Sequence, residues 1–112
     1  MNFSESLKKN TDFRKVYHGG HSKANKYLVI YIRKNGTDKN RVGISVSKKV
    51  GNSIVRHRLT RLIRESYLLN EEKVARGYDM VVIARSAAKG KNSPDIESAF
   101  LHLGSLHGII ES

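Results

Sequence analysis

Residues 79–85 read DMVVIAR, with five consecutive apolar positions between an acid and a base. A half-exposed strand would alternate in polarity, so this run reads as a strand covered on both faces, which suits the middle of a sheet. Other strands must flank it, and helices must lie across it.

Two earlier segments supply the flanking strands. In KYLVIYIR, residues 26–33, Leu28, Ile30 and Ile32 share one face, and Tyr27, Val29, Tyr31 and Arg33 share the other. After the turn-rich NGTDKN, the segment RVGISVS puts Val42, Ile44 and Val46 on one side and Arg41, Gly43, Ser45 and Ser47 on the other. Paired antiparallel, these two strands would give a sheet with one aliphatic face and one face of Tyr, Arg, Ser and Gly. The second face has the character of a binding floor, although Val29 keeps it from being wholly polar.

Three helices complete the pattern. Asn10 or Thr11 is expected to cap the first, which carries Phe13, Val16 and Tyr17 on one side and stops at Gly19-Gly20. The second begins after Gly51-Asn52, capped by Asn52 or Ser53, and runs to about Leu69. At 100° per residue from Arg56, its Val55, Leu59, Leu62, Ile63 and Leu69 fall between roughly 220° and 340° and form the stripe to be buried. Arg56, His57, Thr60, Arg61 and Arg64 fall between roughly 0° and 140°, with Arg58 nearer the far edge beside Glu65. The third helix is expected to use Ser93 as cap and Pro94 as its first residue, with Ile96, Phe100, Leu103 and Ile110 as its apolar face. At 112 residues the chain suits one domain. The second helix, lying between strands, predicts a crossover packed on the sheet in an α+β sandwich.

Charge narrows the function. The formal net charge is +11, and it is uneven: residues 1–64 hold 16 Lys/Arg against 3 Asp/Glu, and residues 65–112 hold 5 against 7. No carboxylate lies between Asp38 and Glu65, where eight bases fall. Self-repulsion on that scale opposes folding, so a polyanionic partner, nucleic acid before an anionic membrane, explains it better than solubility does. No apolar run reaches spanning length and residues 1–20 lack a signal-peptide core, so a cytoplasmic protein without a membrane partner is expected. The absence of cysteine removes disulfides and thiolate metal sites, and the five histidines have no spacing that completes a zinc site.

Four arginines on one helix, with Lys48 and Lys49 at its entrance, present forked donors suited to phosphate oxygens. Neutralising about six phosphates of a duplex would give a log-log salt slope of roughly −5. The plainer alternative is a solvated basic face. Gly51-Asn52 could hold a phosphate or simply turn and cap. Phe13, Tyr17 and Tyr31 suit stacking on unpaired bases, but aromatics also fill cores. The ten acids are scattered, giving neither a two-metal cluster nor a His pair for acid-base work, so no residue is assigned a catalytic role.

With these motifs in place, RVGISVSKKVGNSIVRHRLTRLIRES closely resembles the signature of the bacterial ribonuclease P protein component. TDFRKVYHGGHSKANKYLVIYI and DMVVIARSAA resemble that family's earlier and later segments, so the likeness spans roughly residues 7–103. It implies an α-β-β-β-α-β-α two-layer sandwich, with a mixed sheet of about four strands and a left-handed βαβ crossover. That hand runs against the general rule. It also implies the protein subunit of an endoribonuclease that removes the 5′ leader of precursor tRNA. A large ribonuclease P RNA does the chemistry with Mg²⁺, so the metal acts through RNA and substrate rather than on the protein.

By the same resemblance, Phe13, Tyr17 and Tyr31 line a cleft for the single-stranded leader, with Ser47, Lys48 and Lys49 at its edge and Arg85 within reach of substrate. Asn52, Arg56, His57, Arg58, Arg61 and Arg64 form the basic motif that faces the RNA subunit and the leader near the cleavage site. Two positions depart from the family pattern: His57 stands where Asn is usual, and Thr60 where Lys is common. A general RNA-binding module and a self-sufficient nuclease are the rival readings.

Overall fold

In the computed structural model, residues 2–111 are described, and they form one mixed sheet with helices on both faces. The elements in chain order are β1 (Ser4–Ser6), α1 (Asn10–Gly19), β2 (His21–Ala24), β3 (Leu28–Lys34), β4 (Asn40–Ser45), α2 (Ser53–Asn70), β5 (Tyr78–Ala84) and α3 (Ser93–Leu106). The strands are ordered β1-β4-β5-β3-β2. β5 runs parallel to β4 and antiparallel to β3, while β1 runs parallel to β4.

The doubly apolar strand therefore takes the middle, as its composition requires. Met80 and Val82 enter the large core beneath α2 and α3, and Val81 enters a smaller one beneath α1. This overturns one expectation: β3 and β4 are not a hairpin pair, because β5 lies between them and bonds to both. The reason is burial, since the centre is where both faces of β5 leave water. Either flanking strand needs only its Leu28/Ile30/Ile32 or Val42/Ile44 side in the large core.

β1 is a further strand. Its SES sequence has no apolar alternation, but Phe3 and Leu7 on either side of it are buried. The segment is held at its start by Glu71, whose carboxylate accepts the N–H groups of Asn2 and Phe3. Burial pushes this carboxyl up, but those bonds and Ser4 outweigh burial and hold it below the usual range.

The helix limits follow local chemistry, with small shifts from expectation. α2 starts at its Asn52 cap, whose side chain accepts the Val55 N–H at 3.0 Å. α1 already includes Asn10 and Thr11, and its cap position is Lys9, with no side-chain bond. α3 is capped by Asn92, one residue before Ser93. Gly108, in the left-handed region at φ 73°, reverses the chain after α3 so that Ile109 and Ile110 bond back to the Gly104 carbonyl. Ile110 is thus buried, but beyond the helix, bridging to Val74.

Two side chains differ from the helical-wheel and alternation readings. Leu69 is 74 % exposed, whereas Ser66, Tyr67 and Asn70 are buried. Tyr67 sits at roughly 20° on the wheel, so burying its ring turns α2 away from Leu69. Its hydroxyl meets Ser4 and the buried Asn40, which satisfies the polar atom inside the core. Tyr27, expected beside Tyr31, instead packs against the large core. It lies just before β3, outside the strict alternation.

Candidate nucleic-acid interface

α1 crosses the sheet face opposite α2 and α3, contacting β3 and β5. The register lays that face out in rows. Arg33, Asp79 and Arg41 align across β3, β5 and β4; next come Tyr31, Val81 and Gly43; then Val29, Ile83 and Ser45. α1 covers the middle row through Val16, which is fully buried, and through Phe13 over Gly43. A Cβ on Gly43 would stand 2.5 Å from the Phe13 ring, so only glycine lets the helix sit this close.

Between α1 and β4 a groove of about 390 Å³ stays open, lined by Asn10, Phe13, Arg14, Tyr17, Ile44 and Ser45. Phe13 and Tyr17 are tilted 51° with ring centroids 6.4 Å apart. Tyr31 meets Tyr17 edge-on at 5.0 Å, standing behind it rather than lining the groove. All three rings are half-buried. Burial raises the Tyr17 phenol above its ordinary value, the Ser45 hydrogen bond opposes this, and Tyr31 adds to it. The hydroxyl therefore stays protonated at neutral pH, available to donate as well as accept.

Beyond Ser45, β4 leads into the loop that carries Ser47, Lys48 and Lys49, all exposed. Ser47 and Lys49 line a recess of about 480 Å³ with Lys26, Arg85 and Ser86. The Arg85 guanidinium donates to the Asn25 carbonyl at 2.8 Å, which fixes it at the rim. Lys48 is close in sequence but does not line this recess.

The same loop then enters α2. His57, Arg61 and Arg64 are exposed, and Arg56 and Arg58 half-buried. Leu59, Leu62 and Ile63 hold the opposite side of the helix in the core. Arg56 folds back to the Gly51 carbonyl at 3.4 Å. Arg61 faces Glu65 at 3.9 Å across solvent, a pairing worth little. Among the described residues Arg56, Arg58 and Arg64 have no carboxylate within 4.0 Å. The Asn52 oxygen is committed to the helix cap. Residues 45–58 thus run along the chain from an aromatic groove, past a cationic recess, to a helix on which three of four arginines have no carboxylate within 4.0 Å among the described residues.

A family profile described as Ribonuclease P matches residues 1–105. The chain belongs to the ribonuclease P protein family. It is 59 % identical over 109 residues to the ribonuclease P protein component of Lachnoclostridium phytofermentans, covering 97 % of this chain and 94 % of that one. It is 56 % identical to that of Clostridioides difficile over 104 residues, covering 92 % and 91 %. Among solved structures, the Staphylococcus aureus RNase P protein superposes with a TM-score of 0.87 at 36 % identity, covering 95 % of this chain and 97 % of that one. The Thermotoga maritima RNase P protein superposes at 0.83 with 31 % identity, covering 89 % and 96 %.

As a ribonuclease P protein component, the chain is a subunit of an endoribonuclease with an RNA-binding role in tRNA 5′ processing. Several residues of its groove and recess escape sequence reasoning. Asn10 and Arg14 sit on the groove-facing edge of α1, where the only signal is their spacing of three and one from Phe13. Lys26 and Ser86 reach the recess because the ends of β3 and β5 adjoin, the Arg85 N–H bonding to the Tyr27 carbonyl. No helix of the described residues is long and apolar enough to cross a membrane.

Proposed function

We propose that the chain binds ribonuclease P RNA through Asn52, Arg56, His57, Arg58, Arg61 and Arg64, and takes the single-stranded 5′ leader of precursor tRNA along the groove. Phe13 and Tyr17 stack on leader bases, with Tyr31 buttressing Tyr17. Ser47, Lys48, Lys49 and Arg85 meet the leader phosphates as the strand leaves toward the cleavage site. The observation that supports this reading is that one stretch of chain, residues 45–58, runs from the open aromatic groove past the cationic recess into the arginine-bearing helix. Stacking holds unpaired bases without demanding a sequence, and the guanidinium groups offset the repulsion between leader and RNA-subunit phosphates. Both contributions are positioning and electrostatics.

The residues of the chain do not fit a protein-held Mg²⁺. Among the described residues no three His, Cys, Asp or Glu side chains converge. On the α1 side of the sheet, Asp12 and Asp79 are both engaged by Arg41, and Glu5 faces Lys39 at 3.8 Å. In this reading Mg²⁺ acts through the RNA subunit and substrate, and the holoenzyme works in the cytoplasm.

Reconstitution tests the reading. Added to a bacterial ribonuclease P RNA at low Mg²⁺, the protein should restore cleavage of precursor tRNA, with the gain growing with leader length. Restoration indifferent to the leader would remove the groove from the mechanism. Cleavage by the protein without RNA would favour a self-sufficient nuclease, and binding without restored cleavage a general RNA-binding module.

A further inference from the structure

The row beside the aromatic one holds a feature that the RNA-contacting residues do not use. Asp79 on β5 is 1 % exposed, yet it is ionisable and lies on the face covered by α1. Its carboxylate accepts from Arg41 Nε at 2.8 Å and Arg41 Nη2 at 2.5 Å, and from Asn35 Nδ2 at 3.0 Å. A fork-to-fork pair of this kind fixes the guanidinium plane. The remaining arginine nitrogen, Nη1, reaches Asp12 Oδ2 at 3.4 Å, in the first turn of α1. One side chain thus ties the two central parallel strands to the helix that forms a wall of the groove.

We propose that Arg41 is a positioning residue for leader binding: locked by Asp79, it holds α1 through Asp12 and so sets the distance between Phe13 and Tyr17 and the Ser45 edge of β4. The inference rests on the groove being the leader site. Asp12 is the neighbour of Phe13, so a shift of this turn moves the first stacking ring directly. Gly43 underneath that ring provides no side chain to hold it in place. Arg41 also covers Asp12 and Asp79, which would otherwise repel a phosphate strand, while Glu5 in the same row on β1 faces Lys39 at 3.8 Å.

The bridge can be cut while Asp79 keeps a cation. Arg41→Lys retains the charge but has no fork to span both acids. Asp12→Asn takes the charge from the half-exposed end of the bridge and leaves only a neutral acceptor for Arg41 Nη1. Each variant, assembled with ribonuclease P RNA, is titrated with precursor tRNA carrying a full leader and with one whose leader is cut back to a stub. The expected result is a loss of the full-leader preference on the order of tenfold in either variant. The double variant should lose no more than each single one, because the two changes cut one link.

The Gly43 proton shifts that depend on the Phe13 ring, read by NMR in the free protein, should move in parallel. Folded variants with an unchanged preference would overturn the proposal, as would a double variant losing the product of the single losses. Tighter binding of both substrates by Asp12→Asn would reduce the aspartate to a matter of charge and also overturn it. Wild-type holoenzyme indifferent to the leader would refute the leader reading itself, a failure visible before any variant is made.

Discussion

The groove beneath α1 and the arginine face of α2 are the two parts of the proposed RNA surface, and they are built in opposite ways. In the groove, half-buried rings touch one another, a glycine lets Phe13 lie against the strand, and an ion pair with the buried Asp79 reaches on to the first turn of the helix. On α2 the cations stand out from a well-packed backbone, with most of them lacking a carboxylate partner among the described residues. The first region works by shape, which packing fixes and small volume changes damage. The second works by charge, which tolerates displacement and is screened by salt. On the proposed reading, the first would take unpaired bases and the second would hold a folded RNA.

Substitutions can break this contrast in either direction. The largest effect is expected for Phe13→Ala combined with Tyr17→Ala, since each stacking contact is worth roughly 1–3 kcal/mol. Equilibrium binding should show most of the leader-dependent affinity lost with the salt slope kept. A slope that flattened instead would mean the rings serve the phosphates indirectly.

Gly43→Ala comes next. The added methyl meets the Phe13 ring and should cost about 1–3 kcal/mol of stability in denaturant unfolding. Leader preference should fall while assembly with the RNA subunit survives. An unaffected preference would show that Phe13 can yield without consequence.

Arg61→Ala with Arg64→Ala should weaken binding of full-leader and leaderless RNA alike, and reduce the log-log salt slope by about 2. A loss confined to one substrate would erase the division of labour between charge and shape.

The smallest effect belongs to His107, which donates to or accepts from neither surface and meets the Ile30 carbonyl at 2.7 Å. Burial lowers its pKa, the Ile30 contact opposes this, and Lys23 and His21 add to the lowering. The unfolded chain thus binds the proton more readily, so stability is full above about pH 6.5 and declines as pH falls toward and through the folded value. Thermal unfolding of His107→Gln should show a shallower decline than wild type between pH 7 and pH 5, with RNA binding at pH 7 unaltered. An equal decline would assign the pH response to other groups.

The sequence already carried the parts of this contrast that follow a period. The alternation in residues 28–33 and 42–46 predicted which side chains enter the large core, and the uninterrupted 80–84 run predicted the central strand. The cap of α2 and the side of it that carries the arginines were legible for the same reason. What pairing alone decides was not. The insertion of β5 between β3 and β4 depends on tertiary burial, and β1 is held by Glu71 and Tyr67, residues more than sixty positions away. Leu69 was misplaced because a wheel weighs a leucine without weighing the ring of Tyr67 two residues before it. Of the three aromatic candidates Phe13 and Tyr17 line the groove and Tyr31 stands behind, whereas Arg14 and the Arg41 bridge emerge only when a helix is laid over a sheet.

The central position of β5 also bears on how the molecule comes into being. A ribosome releases β1, β2, β3 and β4 before β5, yet the outer pairs have no partner in the middle until Ala84 has emerged. The chain must carry the unpaired inner edges of β3 and β4, with its most basic stretch, until that last strand arrives, and only then can the β1-β4 and β3-β2 halves join.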